Sequence, residues 1–207
     1  MRRTVIFLVV LAVAMAAVVQ AAKFTSVWKA PDISTIGFAG KKVAALVITK
    51  DDGLRQSAEE ALVRQMEAIG VQGEASYRLA PSEVLQDKDK AKAWFEKVHV
   101  EGVVAMRLVS ADKVTTYTPA TFTTGYYGSL WGYYGYSWGV AWSPGYSSED
   151  TKVIVETLIF SVPKNKLLWA GVSETTNPKN TDVFMKDLVE KAVKEMKKQG
   201  LTAPPKK

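Results

Sequence analysis

The chain has 207 residues, enough for one domain with a substantial core. It contains no cysteine, which excludes disulfide bonds, thiol catalysis, cysteine-held metals and a lipid carried on a cysteine. The formal net charge is +6, but the basic residues are scattered and follow no basic–aromatic motif, so nucleic acid is not an expected partner.

The amino terminus has the layout of a secretory signal peptide. Arg2 and Arg3 precede an almost uninterrupted apolar run at 5–19, which ends at the small residues Ala21 and Ala22. A basic start, an apolar stretch and small residues at the exit are the features that the export machinery recognises. The run is shorter than the roughly 20 residues that span a bilayer. We therefore expect cleavage after Ala21, or alternatively after Ala22, and a soluble periplasmic protein.

The first half of the remaining chain alternates strands with helices. The helix between the second and third strands begins at a cap, Asp51 or Asp52, and ends at Gly70. Strand–helix–strand order of this kind predicts parallel pairing with helical crossovers. The predicted strands lie at 24–28, 42–49, 71–77 and 102–109, the last continuing toward Tyr117, and a second helical region opens at Pro81 and Ser82.

The second half changes to antiparallel pairing. Alternating residues at 152–162, a turn at 163–166 and a strand at 167–175 predict a hairpin, and a final helix begins at Asn180 or Thr181 and ends at Gly200. The fold class is thus α/β with a mixed sheet (α+β). We expect a signal peptide at 1–21, one domain at 22–201 and a disordered tail at 202–207. The core should contain Leu62 and Val104, with Trp28 and Trp169 at least partly buried.

Residues 118–149 do not follow this pattern and form a predicted insertion. Between 125 and 146 the sequence has nine aromatic residues and six glycines, and no charge occurs from Lys113 to Glu149. Glycine weakens backbone order, so we expect a long loop that presents aromatic faces. Such faces could bind an envelope protein, a glycan or a membrane surface. Alternatively, the insertion folds over its own domain and hides apolar surface.

The candidate binding residues are the aromatic side chains of this insertion. Trp side chains are the largest anchors available, and interfaces rich in Trp and Tyr concentrate their binding energy in few residues. The set comprises Trp131, Trp138, Trp142, Tyr133, Tyr134 and Tyr136. We therefore expect a non-enzymatic binding or scaffold protein.

Catalytic patterns are missing from the sequence. His99 is the only histidine, so a two-histidine metal site is excluded. Neither a nucleophile elbow nor a phosphate-binding glycine loop occurs, and the pair Asp51–Asp52 is explained by a helix start. We expect no cofactor and no metal. A periplasmic hydrolase with a carboxylate-based site is the alternative function.

The chain resembles a family of small bacterial cell-envelope lipoproteins whose domain has no assigned function. The likeness covers nearly all of the chain after the signal peptide, through motifs of low specificity. It implies an envelope location and no particular site residues. The lipid-bearing cysteine of that family is absent here. The matching segments are 27–31, the strand at 42–49, 69–71, Ser76–Tyr77, 102–104 leading to Arg107–Leu108, the aromatic insertion and 167–169.

Overall fold

The computed structural model describes residues 20–113, 128–139 and 151–201. The predicted strand continuation toward Tyr117, the predicted tail at 202–207 and nearly all of the signal peptide lie outside these residues. The described part contains one mixed sheet of six strands, in the order β1-β6-β5-β4-β2-β3. The strands are β1 (Gln20–Lys29), β2 (Lys42–Ile48), β3 (Gln72–Ala75), β4 (Gly102–Lys113), β5 (Thr151–Ser161) and β6 (Lys166–Thr176).

Parallel and antiparallel pairing divide the sheet as the sequence predicts. Strand β2 pairs in parallel with β3 and β4, whereas the β4–β5, β5–β6 and β6–β1 pairs are antiparallel. The mixed-sheet α+β fold class is therefore confirmed. The described helices are α1 (Asp52–Ala68), α2 (Ser76–Leu79), α3 (Ser82–Leu85), α4 (Lys88–Lys97), α5 (Leu130–Gly139) and α6 (Thr181–Lys198).

Strand β2 is buried on both faces, as its continuous apolar sequence predicts. Its side chains Ala44, Leu46 and Ile48 belong to a core cluster shared with α4 and α5. The alternate side chains Val43 and Val47 belong to a second cluster shared with α1 and α6. The sheet thus has a helical layer on each face. One layer contains α4 and α5, and the other contains α1 and α6.

Both long helices begin and end at the residues that the sequence indicates. The Asp51 side chain accepts a hydrogen bond from the Leu54 nitrogen (2.9 Å), and the Asn180 side chain accepts one from the Val183 nitrogen (2.9 Å). Each helix is followed by a left-handed residue, Gly70 at φ 80° and Gly200 at φ 72°. Only glycine adopts this conformation without a steric cost, so a glycine at each of these positions marks the end of the helix.

The predicted strand at 71–77 is too long. Strand β3 ends at Ala75, and Ser76 starts the helical turn α2. The Glu59 carboxylate, buried on α1, accepts hydrogen bonds from the Ser76 hydroxyl (2.6 Å) and the Tyr77 nitrogen (3.0 Å). These bonds direct the chain away from the sheet. They come from a residue 17 positions earlier in the sequence, so the periodicity of the strand does not predict them.

The helical region after Pro81 is divided into α3 and α4. The Asp87 side chain accepts hydrogen bonds from the Asp89 and Lys90 nitrogens, both at 3.0 Å, and thereby begins a new helix. These bonds hold the pKa of Asp87 below its usual value. His99 follows α4 with φ 56° and is exposed to solvent.

The burial predictions for single residues hold. Trp169 is fully buried with its ring edge-on to Phe24 (centroids 5.5 Å apart), and Trp28 is half-buried. Leu62 lies in the core between α1 and the sheet, and Val104 packs against that cluster.

Truncation of Leu62 tests the packing of α1 on the sheet. Leu62 is 1% exposed, so Leu62→Ala should lower the free energy of unfolding by about 2–5 kcal/mol, through lost apolar burial and the remaining cavity. Urea unfolding measures this difference. Val183→Ala on α6 is the control, because Val183 is 48% exposed and its loss should change stability by about 0.5 kcal/mol or less. Equal effects would show that Leu62 does not face the sheet.

Candidate functional site

The glycine-rich aromatic insertion is partly helical, which corrects the expectation of a loop. Residues Leu130–Gly139 form helix α5, which packs against α4. Leu130, Tyr133 and Tyr134 are fully buried, and Trp131 is 6% exposed. Within the described residues, the insertion covers one face of the sheet, as in the alternative in which it folds over its own domain.

Aromatic contacts fix α5 in this position. Tyr134 lies edge-on to Phe95 of α4, with ring centroids 6.4 Å apart, and Trp131 contacts both rings. Tyr133 contacts Phe160 of β5 at 5.6 Å, so α5 is held to the sheet as well as to α4. The Tyr134 hydroxyl donates a hydrogen bond to the Leu85 carbonyl oxygen. These rings therefore stabilise the core and present no free face to a partner.

A helical spacing was present in this segment but was hidden by its glycines. The buried side chains lie at positions 130, 131, 133 and 134, which is one face of a helix. Gly132 and Gly135 lie on the exposed face. Their low helix propensity suggested a loop, but burial of several aromatic rings outweighs a cost of about 1 kcal/mol per glycine.

For three candidate residues, the expected role in binding stays a prediction. Tyr136 and Trp138 belong to α5, and Trp142 lies outside the described residues. The side chains of all three lie outside the described part of the chain, so binding of a partner by them stays a prediction. The predicted cleavage residues, Ala21 and Ala22, lie at the start of β1.

The opposite face of the sheet carries two apolar pockets, both between α1 and α6. Pocket A, of about 280 Å³, lies where the two helices begin and β2 ends. Ala58 on α1, Phe184 on α6 and Met106 on β4 are among its walls. Its polar lining comes from Thr49, Asn180 and Thr181, and Asn180 already serves as the cap of α6.

Pocket B, of about 340 Å³, lies at the other end, where α1 and α6 finish. Leu62 and Ile159 form part of its inner wall, Ala192 of α6 lines one side, and Met106 separates it from pocket A. Both volumes are close to the lower end of the range found for small-molecule sites. Pocket B therefore suits a compact apolar group or part of a hydrocarbon chain.

Two polar groups distinguish pocket B. Thr157 of β5 lines it and is 1% exposed, and its hydroxyl has no hydrogen-bond partner among the described residues. Lys197, which is exposed on α6, lies on the lining at the protein surface. A buried hydroxyl without a partner is costly in an apolar environment, and a ligand oxygen could satisfy it once the Thr157 side chain rotates its hydroxyl into the pocket.

Sequence reasoning missed both pockets. The alternation at 152–162 places Thr157 on one face of β5, but nothing in the sequence indicates that α1 and α6 leave space above that face. The one available sign was the small side chains of Ala58 and Ala192, which fill less space between a helix and a sheet than larger apolar residues do.

Two buried ionisable residues near the start of α1 line neither pocket. Arg55 and Glu59 are 3% and 0% exposed and are one helical turn apart. Arg55 donates a hydrogen bond to the Ser82 hydroxyl (2.8 Å) and forms an ion pair with Asp52 (3.1 Å). The Glu59 carboxylate also accepts a hydrogen bond from the Val47 nitrogen (3.0 Å). This network connects α1 to β2, α2 and α3, which is a structural role.

Catalytic carboxylates do not converge at either pocket. No aspartate or glutamate lines pocket A or pocket B. In the described part of the chain, no three metal-ligating side chains form a group that could hold an ion. Within the same residues, no helix has the length and apolar character needed to cross a membrane.

Comparisons with known proteins give only distant likenesses. No protein-family model and no curated protein sequence matches the chain. Among solved structures, it is similar to the PelC dodecamer from Paraburkholderia phytofirmans, at 13% identity and TM-score 0.48 over 86% of this chain and 99% of that chain. A variant of that dodecamer gives 15% identity at TM-score 0.48, with the same coverage. Lipoprotein GNA1162 from Neisseria meningitidis gives 11% identity and TM-score 0.37, over 76% and 99% of the two chains. These likenesses are too low to show a family or a function.

The packing role of α5 can be tested by truncating its largest side chain. Trp131→Ala should lower the free energy of unfolding by about 3–5 kcal/mol, because the ring fills space between Phe95 and Tyr134. Tyr134→Phe keeps the ring and removes only the bond to the Leu85 carbonyl, so it should cost about 1–3 kcal/mol. Thermal and urea unfolding measure both. An unchanged stability of Trp131→Ala would mean that this face of α5 does not pack the core.

Glu59 should make stability depend on pH. Burial raises the pKa of Glu59, despite the hydrogen bonds it accepts. The folded state therefore binds this proton more tightly than the unfolded chain does. Stability from this group should fall as pH rises from the usual glutamate pKa, about 4.3, through the raised folded pKa.

Urea unfolding across that pH range, with Glu59→Gln as the comparison, measures this contribution. The variant should lack the slope, and it should also be less stable because an amide nitrogen would replace one hydrogen-bond acceptor. The exposed Glu67→Gln retains Glu59 and should retain the slope. Identical pH profiles for wild type and Glu59→Gln would contradict the expectation.

Proposed function

We propose that this protein is an exported, non-enzymatic binding protein of the cell envelope, and that pocket B is its ligand site. The ligand class is a small amphipathic molecule with a compact apolar part and an oxygen-bearing, negatively charged group. The observation that carries this proposal is the unpartnered hydroxyl of Thr157 inside an otherwise apolar pocket, with Lys197 at its surface. Export rests on the amino-terminal sequence pattern.

The chemistry of the pocket supports this ligand class. Apolar walls favour a hydrocarbon group by about 25 cal/mol per Å² removed from water. The Thr157 hydroxyl can donate to a ligand oxygen, which restores the hydrogen bond that the folded chain lacks. Lys197 is exposed, so it contributes through attraction of a negative group at the surface and not through a buried ion pair.

Pocket B is favoured over pocket A because it is lined by a residue whose buried hydroxyl has no hydrogen-bond partner among the described residues. In pocket A, the Asn180 side chain already accepts a hydrogen bond from the Val183 nitrogen. A ligand in pocket A would therefore gain apolar burial but less orientation from this residue. Ligand sites combine apolar walls with a few polar groups that fix the ligand, a pattern that pocket B matches.

Fluorescence titration with 8-anilinonaphthalene-1-sulfonate tests the proposal, because this compact probe joins an apolar ring system to a negatively charged, oxygen-bearing sulfonate. Ala192→Phe fills pocket B, and Ala58→Phe fills pocket A with the same change of residue on the neighbouring helix. We expect Ala192→Phe to weaken binding by at least about tenfold, equivalent to 1.4 kcal/mol, and Ala58→Phe to leave it nearly unchanged. Unfolding midpoints establish that both variants are folded.

Two further variants separate the polar contributions. Thr157→Val keeps the side-chain shape and removes the hydroxyl. It should weaken binding of the probe because a hydrogen-bond donor is lost, although the unliganded variant no longer buries a hydroxyl without a partner. Lys197→Gln should weaken binding of the negatively charged probe by up to about fivefold. It should leave binding of the uncharged probe N-phenyl-1-naphthylamine unaffected. No binding of either probe by wild type, or loss of binding only in Ala58→Phe, would overturn the assignment of pocket B.

A further inference from the structure

The first residues of β1 meet a carboxylate on α6. The backbone nitrogen of Ala22 donates a hydrogen bond to a side-chain oxygen of Asp187. Ala22 is 4% exposed and belongs to the core cluster between α1, α6 and the sheet. Asp187 is half-buried. A backbone nitrogen at the edge of a sheet is thus bonded to a charged side chain 165 residues away in sequence.

The pairing of β1 with β6 is irregular at the same point. Gln20 is opposite Thr176, the register then shifts, and pairing resumes with Lys23 opposite Glu174. From Lys23 onward the pairing extends to Lys29, with a second register shift between Phe24 and Ser26. Among the described residues before Ala22, only Gln20 is paired, so loss of this pair would leave the rest of the β1–β6 ladder in place.

We infer that the export peptidase hydrolyses the bond between Ala21 and Ala22, and that the new amino terminus forms an ion pair with Asp187. Water supplies a hydroxyl to the Ala21 carbonyl carbon and a proton to the Ala22 nitrogen, and the acid proton then passes to the amine. The products are a carboxylate on the released peptide and an ammonium group on Ala22. An unperturbed α-amino group has a pKa of about 7.7–8.0, so it is charged at neutral pH.

The ion pair would use an interaction that the fold has already positioned. The nitrogen of Ala22 bonds to Asp187 as a neutral donor, and hydrolysis turns it into a charged one without moving it. Charge-assisted hydrogen bonds are roughly twice as strong as neutral ones. Processing would therefore strengthen the contact between β1 and α6.

The contact also favours one of the two cleavage positions that the sequence leaves open. A cut after Ala22 would start the chain at Lys23. It would remove the donor to Asp187 and a buried methyl group from the core. A cut after Ala21 keeps both, and the mature chain would begin with a residue that is almost entirely buried.

This inference rests on the export that the proposed function includes, and intact-mass analysis separates the two. The full-length gene is expressed in a bacterial host and the protein is purified from the envelope fraction. A mass that begins at Ala22 is the expected result. Absence of the protein from the envelope fraction would overturn export itself, whereas a mass from that fraction that begins at Met1 or at Lys23 would overturn only the present inference.

The ion pair is tested by the labelling rate of the amino terminus with 2-pyridinecarboxaldehyde, which reacts with free α-amines. In the processed protein, Asp187→Asn should speed labelling severalfold because it releases the terminus. Asp182→Asn is the matched control on α6, since Asp182 is exposed and pairs with Arg64 instead. Equal rates in all three proteins would overturn the ion pair.

A comparison within the wild-type protein covers the case in which Asp187→Asn does not fold. The wild-type terminus is labelled in native buffer and in denaturant, with the free peptide Ala-Lys-Phe-Thr as the reference for intrinsic reactivity. Protection of severalfold in native buffer supports the pair. A native rate equal to the denatured rate would contradict it.

Discussion

The sheet has strands that are apolar on both faces, and the rest of the structure depends on that constraint. Strand β2 is buried over nearly its whole length, and β5 is buried from Ile154 to Phe160. Because neither face of such a sheet can remain in water, each must be covered by a helical layer. Helices α1 and α6 cover one face, and α2–α5 cover the other within the described residues.

The aromatic helix α5 is a consequence of this requirement. The crossovers from β2 to β3 and from β3 to β4 supply α1 on one face and only short helices on the other. A segment with large rings can fill the remaining area in few residues, since each ring buries much surface. Trp131, Tyr133 and Tyr134 therefore stabilise the domain, which limits a binding role of the insertion to its other aromatic residues.

The layer formed by α1 and α6 leaves two apolar pockets over its face of the sheet, and the proposed function follows from them. These helices contact the sheet through alanine, valine and methionine at several positions, which leaves two apolar pockets beside Met106. The same layer holds Ala22 and Asp187, so the proposed mature terminus and the proposed ligand site share α6. Closer attachment of α6 after processing would stabilise one wall of each pocket.

The sequence by itself determined the order of the six strands, the mixed pairing and the ends of α1 and α6. Those features depend on local physics: apolar periodicity, capping by Asp51 and Asn180, and left-handed glycines. It also predicted export, which depends on a linear pattern. Tertiary structure alone decided that β3 ends where Glu59 binds Ser76, that the aromatic segment is a buried helix and that pocket B exists. Each of these features depends on contacts between residues far apart in the chain. Packing and desolvation at those contacts stabilise the features, and a local sequence pattern does not show which residues will meet.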